Sequence, residues 1–326
     1  MIVKNNPFTS DVYNTEWMNH FHSGKKCHKF DSIKGVAFTK NKYIPLYTNV
    51  GKYKSCGISY QLDSSGQNED YKGKVFLIYD IPEFFEIDSE PKSKRLGIEK
   101  IEQYEGYLVD IRDYETINDY LSNQFNSKQR HSVLRRLKKL EKDHDNISYE
   151  FYSGKLEEKQ FETLFEELYS LMEQQFDLKK EKNSHSSLEI KEWYRSLFVK
   201  LFENNQASFS VIKKDKATIS TCLSYNSDNI VFSSIPVLDT DYVKYGLGNT
   251  RTLKNIEWAI DNGFEYYDLG KGSYGYKHRW ASSKYKFEYH ILYDKKSIRA
   301  TIIAMTIKTF FSIKQEMRKI KHSLKK

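Results

Sequence analysis

Three strand-like runs, Ala207 to Lys213, Ala217 to Tyr225 and Ile230 to Val237, follow one another with almost no chain between them. The connecting segments, Lys214-Asp215-Lys216 and Asn226 to Asn229, are hairpin turns, so the three strands pair antiparallel. Upstream lie a strand over Ile147 to Tyr152 and two helices. Phe161, Leu164, Phe165, Leu168, Leu171 and Met172 keep helical spacing in the first, and Ile190, Trp193, Tyr194, Leu197 and Leu201 in the second. Downstream come a glycine-broken turn, a helix with Leu253, Ile256 and Ile260 on one face, and a strand-like run reaching Asp268. A last strand, Tyr285 to Tyr293, alternates Tyr285, Phe287, Tyr289 and Ile291 with polar residues. That order predicts an α/β (α+β) arrangement with a mixed, mainly antiparallel sheet flanked by helices.

The first 125 residues read as one early helix and then strands at Val36-Ala37-Phe38, Tyr43 to Val50, Ile58 to Leu62, Lys74 to Ile81 and Gly106 to Ile111, with a helix over Tyr114 to Phe125. Between the halves lies SKQRHSVLRRLKKLEKDHD, residues 127–145. Leu134, Leu137 and Leu140 stripe a strongly basic helix, which reads either as an anion- or nucleic-acid-binding helix or as a linker that packs its leucines and solvates its charges. A chain of 326 residues suits two domains or a pseudo-symmetric pair, and 25 tyrosines with 20 phenylalanines can build their cores.

The net charge of +8 is unevenly placed. Ten Lys or Arg and one acid, Glu316, fall between Lys295 and Lys326, so the body is close to neutral. In the same segment Ile303, Ile307, Phe310, Ile313, Met317, Ile320 and Leu324 recur at three- and four-residue steps. This basic amphipathic helix suits either an anionic membrane surface or packing on the protein itself or a partner helix. The three cysteines, Cys27, Cys56 and Cys222, form no close pair and no metal spacing. No histidine pattern or Gly-x-Ser-x-Gly elbow occurs, so no metal site is expected. The N-terminus lacks a signal-peptide stretch and no apolar run approaches the ~20 residues of a membrane span. A cytoplasmic protein is expected, with peripheral contact at the inner membrane face through its tail.

Gly246-Leu247-Gly248-Asn249 stands at a strand-to-helix junction. Glycines permit positive φ and close ligand approach, Asn249 is an expected N-cap with Thr250 second, and the free N–H groups of a helix start suit a phosphate or pyrophosphate. The turn lacks the continuation of a dinucleotide fingerprint and the Gly-Lys-Ser/Thr of a P-loop.

The element order and this turn resemble the GNAT acyltransferase superfamily. Its loop after the fourth strand reads Gln/Arg-x-x-Gly-x-Gly/Ala; here the register is Val243-Lys244-Tyr245-Gly246-Leu247-Gly248, with Val243 in place of the usual Gln or Arg. Gly263, Asp268, Gly272, Tyr276, Lys277, Arg279 and Trp280 look like the CelD/BioF2-like branch, itself similar to FemAB-type aminoacyl transferases, and the basic helix also resembles that branch. The resemblance implies tandem GNAT-like domains: a degenerate copy over 1–125, a basic linker helix over 126–146, an acyltransferase domain over 147–294 and the helical tail over 295–326. It implies acetyl-CoA or another acyl-CoA as donor, held by Ser234, Ile235, Tyr245, Gly246, Gly248, Asn249, Thr250 and Arg279. Ser234 or Ile235 would supply a backbone N–H to the oxyanion, Asp268 is the first candidate base, Tyr274 and Tyr276 are candidate acids, and Lys277 would hold phosphate or carboxylate. The expected acceptor is a small molecule or glycan of polysaccharide or cell-envelope synthesis. A FemAB-like transferase using charged tRNA, or a ligand-binding protein that has lost the reaction, remain the alternatives; nucleic acid enters only as that tRNA.

Overall fold

The hairpins expected over residues 207–238 form, and they set the architecture. The computed structural model describes all residues except 53, 88–92, 180–182 and 324–326; Leu324 of the tail stripe therefore lies outside the described residues. In chain order the elements are α1 (Asp11–Phe21), β1 (His28–Phe30), β2 (Ile33–Lys40), β3 (Leu46–Asn49), β4 (Gln61–Leu62), β5 (Val75–Pro82), β6 (Leu96–Asp110), α2 (Ile117–Gln124), α3 (Ser127–Asp143), β7 (Ile147–Ser153), α4 (Glu158–Lys179) and α5 (Leu188–Glu203). They continue with β8 (Ala207–Lys214), β9 (Ala217–Asn226), β10 (Ile230–Leu238), α6 (Leu247–Asp261), β11 (Tyr266–Lys271), α7 (Lys277–Trp280), β12 (Ser283–Asp294) and α8 (Ile298–Ser323).

The chain divides into two compact units, residues 1–106 with 285–326, and residues 107–284. The expected boundaries at 125 and 294 thus fall inside units. Helices α2 and α3 belong to the second unit, while most of β12 and the tail helix belong to the first. Local pattern locates elements; which unit a segment joins depends on what buries its apolar face.

In the second unit the strands run β11-β10-β9-β8-β7, antiparallel except for the parallel pair β10–β11. Alternation divides the two faces of the sheet. Phe209 packs on Phe161 of α4 and Phe202 of α5, and Tyr225 packs on Phe198 of α5. The alternate positions Ser210, Ser220, Cys222 and Ser224 turn to the opposite face, where Arg251 of α6 donates to Ser220 Oγ over 3.2 Å. The apolar packing on the α6 face is accordingly in two parts. One gathers Val231, Leu253, Ile256, Tyr267, Leu269 and Trp280; the other gathers Leu140, Ile212, Ile219, Tyr245 and Leu247.

The first unit orders its strands β1-β2-β3-β5-β12-β6, with β4 beside β2. It repeats the arrangement of β8-β9-β10-β11: β1, β2 and β3 are antiparallel, and β5 is parallel to β3. This is the tandem pattern expected. Among the described residues, however, the crossover between β3 and β5 holds only the two-residue β4 where the second unit has α6. Val75, Leu77, Tyr289 and Ile291 form the core with Ala300, Ala304 and Phe311 of α8. Lys308 Nζ donates to Glu99 at 2.6 Å, and Arg318 to the Tyr104 hydroxyl at 3.0 Å, so the tail helix packs on its own unit. Its other side leaves Ile298, Ile302, Phe310, Ile313, Met317 and Ile320 exposed.

Candidate functional site

β10 and β11 are in parallel register only at Ile230–Tyr266, Val231–Tyr267 and Phe232–Asp268. Beyond that the register of β10 with β9 slips between Ser233 and Ile235, leaving Ser234 as the extra residue of a bulge. Pro236 lies in the continuing part of β10 and has no N–H to offer a neighbour. The strands therefore part just after Asp268, and the expected oxyanion positions, half-buried Ser234 and buried Ile235, lie on the parted segment.

Parted β10 leads through a 3-10 turn, Thr240–Tyr245, to Gly246, whose φ of 69° is left-handed. Gly246, not Asn249, is the N-cap of α6, and no side chain caps this helix. The expectation for Asn249 fails because it sits inside the first turn, where its Oδ1 accepts from the Trp280 indole N–H at 3.0 Å. Thr250 is buried in the same turn. The Asn249 and Thr250 N–H groups donate to the Gly246 carbonyl at 2.8 and 3.2 Å, and those of Leu247 and Gly248 precede them at the positive helix end.

The basic helix α3 packs against this turn. A Cβ added to Gly246 would stand 2.9 Å from Arg136 Cδ and 3.3 Å from its Nη1. The ammonium groups of Lys139 and Lys244 lie 5.8 and 5.3 Å from the ring centre of buried Tyr245. A guanidinium from α3 thus stands at the turn that Val243 leaves without the usual Gln or Arg. Sequence reading sees both halves of this arrangement but has no means of joining them. Gly248 is the less crowded glycine: a Cβ there would meet Leu238 Cδ2 at 3.4 Å.

Asp268 and Lys277 bracket Gly270, itself at φ 73°. Asp268 Oδ1 accepts from the Gly270 N–H at 2.8 Å, and Lys277 Nζ donates to the carbonyls of Gly270 and Lys271 at 3.1 and 2.7 Å. Both side chains are buried, Asp268 completely. Tyr276 is half-buried and its hydroxyl is held above the usual range, chiefly by burial. Tyr274 is exposed, its ring 6.5 Å from that of Tyr276. Arg279 is also exposed, and its guanidinium has no partner among the described residues.

Two residues not anticipated belong to the same region. His278 is exposed, its Nε2 2.9 Å from Ser273 Oγ and 3.1 Å from the Tyr107 hydroxyl. Arg251 is buried, and Nη1 donates to the Val237 carbonyl of parted β10 at 2.8 Å. Its signal in the sequence is an arginine on the inward face of α6, between Leu247 and Leu253.

Residues 127–278 match the family model described as acetyltransferase (GNAT) domain. No curated protein matches the chain by sequence. Among solved structures it is similar to FemX (11% identity, TM-score 0.56, covering 86% of this chain and 92% of that one). L-PGS from Bacillus licheniformis is similar at 13% identity and TM-score 0.53, over 94% of this chain and 98% of that one. The C-terminal domain of a protein named lysylphosphatidylglycerol synthetase, from Agrobacterium fabrum, is similar at 13% identity and TM-score 0.54, over 91% and 93%. At such identities the likeness is one of fold.

Proposed function

Since residues 127–278 match the family model of an acetyltransferase (GNAT) domain, we propose that the chain transfers an acyl group from acyl-coenzyme A to an amine or hydroxyl of a cell-envelope precursor. The observation that carries this reading is the left-handed Gly246 turn at the uncapped start of α6, with Arg136 across it, at the end of a strand pair that parts at Asp268. Backbone N–H groups, a helix dipole and a guanidinium on one turn suit a pyrophosphate. The residues therefore fit the donor: Gly246, Gly248 and Arg136 would hold its phosphates, and the parted segment of β10 would flank its acyl arm. When bound, the donor supplies a thioester carbonyl open to attack.

The chain's own part is positioning and proton transfer. Backbone N–H at Ser234 or Ile235 is suited to an oxyanion. Asp268 is closed to an acceptor by its burial and by the Gly270 bond, so its role is to hold the β11 end in shape with Lys277. His278 is exposed, and its imidazole is suited to take the acceptor's proton, with Ser273 and Tyr107 orienting the ring.

A second reading is favoured by a separate observation. Arg135, Lys138, Lys139 and Lys142 are exposed along α3, a helix roughly 25 Å long, which is more cation than a pyrophosphate needs. A charged tRNA as donor would use that length. The exposed apolar side of α8, bordered by Lys314, Arg318 and Lys321, supports contact with an anionic membrane on which an envelope acceptor would be presented.

Calorimetry with acetyl-coenzyme A on wild type and Arg136→Glu tests the first reading. Saturable binding that Arg136→Glu weakens supports it. No binding in wild type, together with salt-sensitive binding of charged tRNA, would replace it with the second.

A further inference from the structure

The first unit holds a cavity of about 540 Å³ whose wall is cationic. It opens where the end of α1, the start of β1 and the hairpin of β2 and β3 meet. Lys25 and Lys26 reach it from the turn that left-handed Gly24 makes after α1, Lys40 and Lys42 from the hairpin, and Lys52 from the turn after β3. Among the described residues no carboxylate lines it. Among the described residues no acid pairs with Lys25, Lys26, Lys40 or Lys42, whereas neighbouring Lys29, outside the cavity, pairs with Asp11 at 2.7 Å.

Lys25, Lys26, Lys40 and Lys42 are exposed and Lys52 half-buried, so five like charges face one concave wall and give it a positive potential. Burial first, and then the lysines beside them, hold His22 and His28 below the usual imidazole range. His22 Nδ1 is buried without a hydrogen-bond partner among the described residues. Lys52 Nζ lies 5.1 Å from the ring centre of buried Tyr79, whereas Lys25, Lys26, Lys40 and Lys42 stand outside the core around Val75 and Ile291. A bound anion would discharge the wall.

We propose that this cavity is a binding site for a small phosphorylated molecule carrying at least two phosphate groups. One phosphate brings a charge of about −2 and would leave most of the wall uncompensated. The volume is that of a pocket for a compact organic ligand, and Thr39, Asn41 and Thr48 supply neutral polar partners around the charges. Lysines, as flexible point charges, grip phosphate without fixing its orientation. The site is built wholly from the first unit and does not depend on the donor turn of the second.

Inorganic tripolyphosphate is the probe, titrated by calorimetry into the full chain. Wild type is expected to bind it saturably, the double variant Lys25→Glu with Lys40→Glu to lose about tenfold or more in affinity, and Arg136→Glu to retain that binding. Reductive methylation read by mass spectrometry gives a measurement free of variants: the probe should protect Lys25, Lys26, Lys40 and Lys42 but not Lys34. Absence of saturable binding, wild-type affinity in the double variant, loss in Arg136→Glu instead, or equal labelling with and without the probe would each overturn the proposal.

Discussion

Arg136 lies across Gly246, its Cδ 2.9 Å from where a Cβ on that glycine would stand. The contact couples the strongly basic helix α3 to the only left-handed residue of the α6 turn. It makes the glycine necessary twice over, for its φ of 69° and for the room it leaves the arginine.

Gly246→Ala should therefore cost about 1–2 kcal/mol in stability from the left-handed backbone alone, and should also displace Arg136 and weaken the donor. Arg136→Ala should weaken the donor with an unchanged melting temperature, because Arg136 is exposed. Thermal melts and donor calorimetry on both variants separate strain from charge. A Gly246→Ala protein that melts and binds like wild type would contradict this account.

Trp280 is fully buried; its indole donates to Asn249, its carbonyl accepts from the Tyr120 hydroxyl, and its ring meets Phe125 at 4.9 Å. Trp280→Ala should destabilise by about 3–5 kcal/mol. Trp280→Phe should cost less in packing but leave the Asn249 amide oxygen without its donor, loosening the first turn of α6. Denaturant unfolding ranks the two, and donor affinity should fall in both.

His278→Gln should lower kcat strongly, with little change in melting temperature, because His278 is exposed. Asp268→Asn should instead lower stability, since a buried acceptor of the Gly270 N–H is altered. A wild-type kcat in His278→Gln would remove His278 from the proton transfer.

His290 is buried in the first unit, with Nε2 2.7 Å from Glu288 and Nδ1 2.8 Å from the Tyr60 hydroxyl. A neutral ring satisfies both, donating to Glu288 and accepting from Tyr60. Burial holds His290 below its ordinary 6.5, and the bond to His290 holds Glu288 below 4.5. Both groups are depressed, so the stability they confer is present above those ordinary values and lost as pH falls. Melting temperature should decline from just below pH 6.5, and His290→Gln should flatten that first decline. A wild-type curve flat between pH 7 and 5 would contradict the assignment.

Much of this was readable along the chain. Hairpin turns, the period of α4 and α5, and a glycine turn before a helix are local signals, because backbone hydrogen bonds and short-range apolar spacing set them within a few residues. The same locality explains the misreading of Asn249. It has the chemistry of an N-cap, but a tryptophan brought in by α7 claims its side chain and left-handed Gly246 begins the helix instead.

The sequence by itself determined the order of helices and strands, the mixed sheet and the existence of a glycine turn before α6. Only the tertiary structure decided that Arg136 covers that turn, that Arg251 is tied to parted β10, that Asp268 is sealed while His278 is exposed, and that five lysines share one cavity wall. Those relations join residues distant in sequence. They depend on which apolar faces find one another when the chain closes, and a charged side chain leaves no periodic trace of where that closure will carry it.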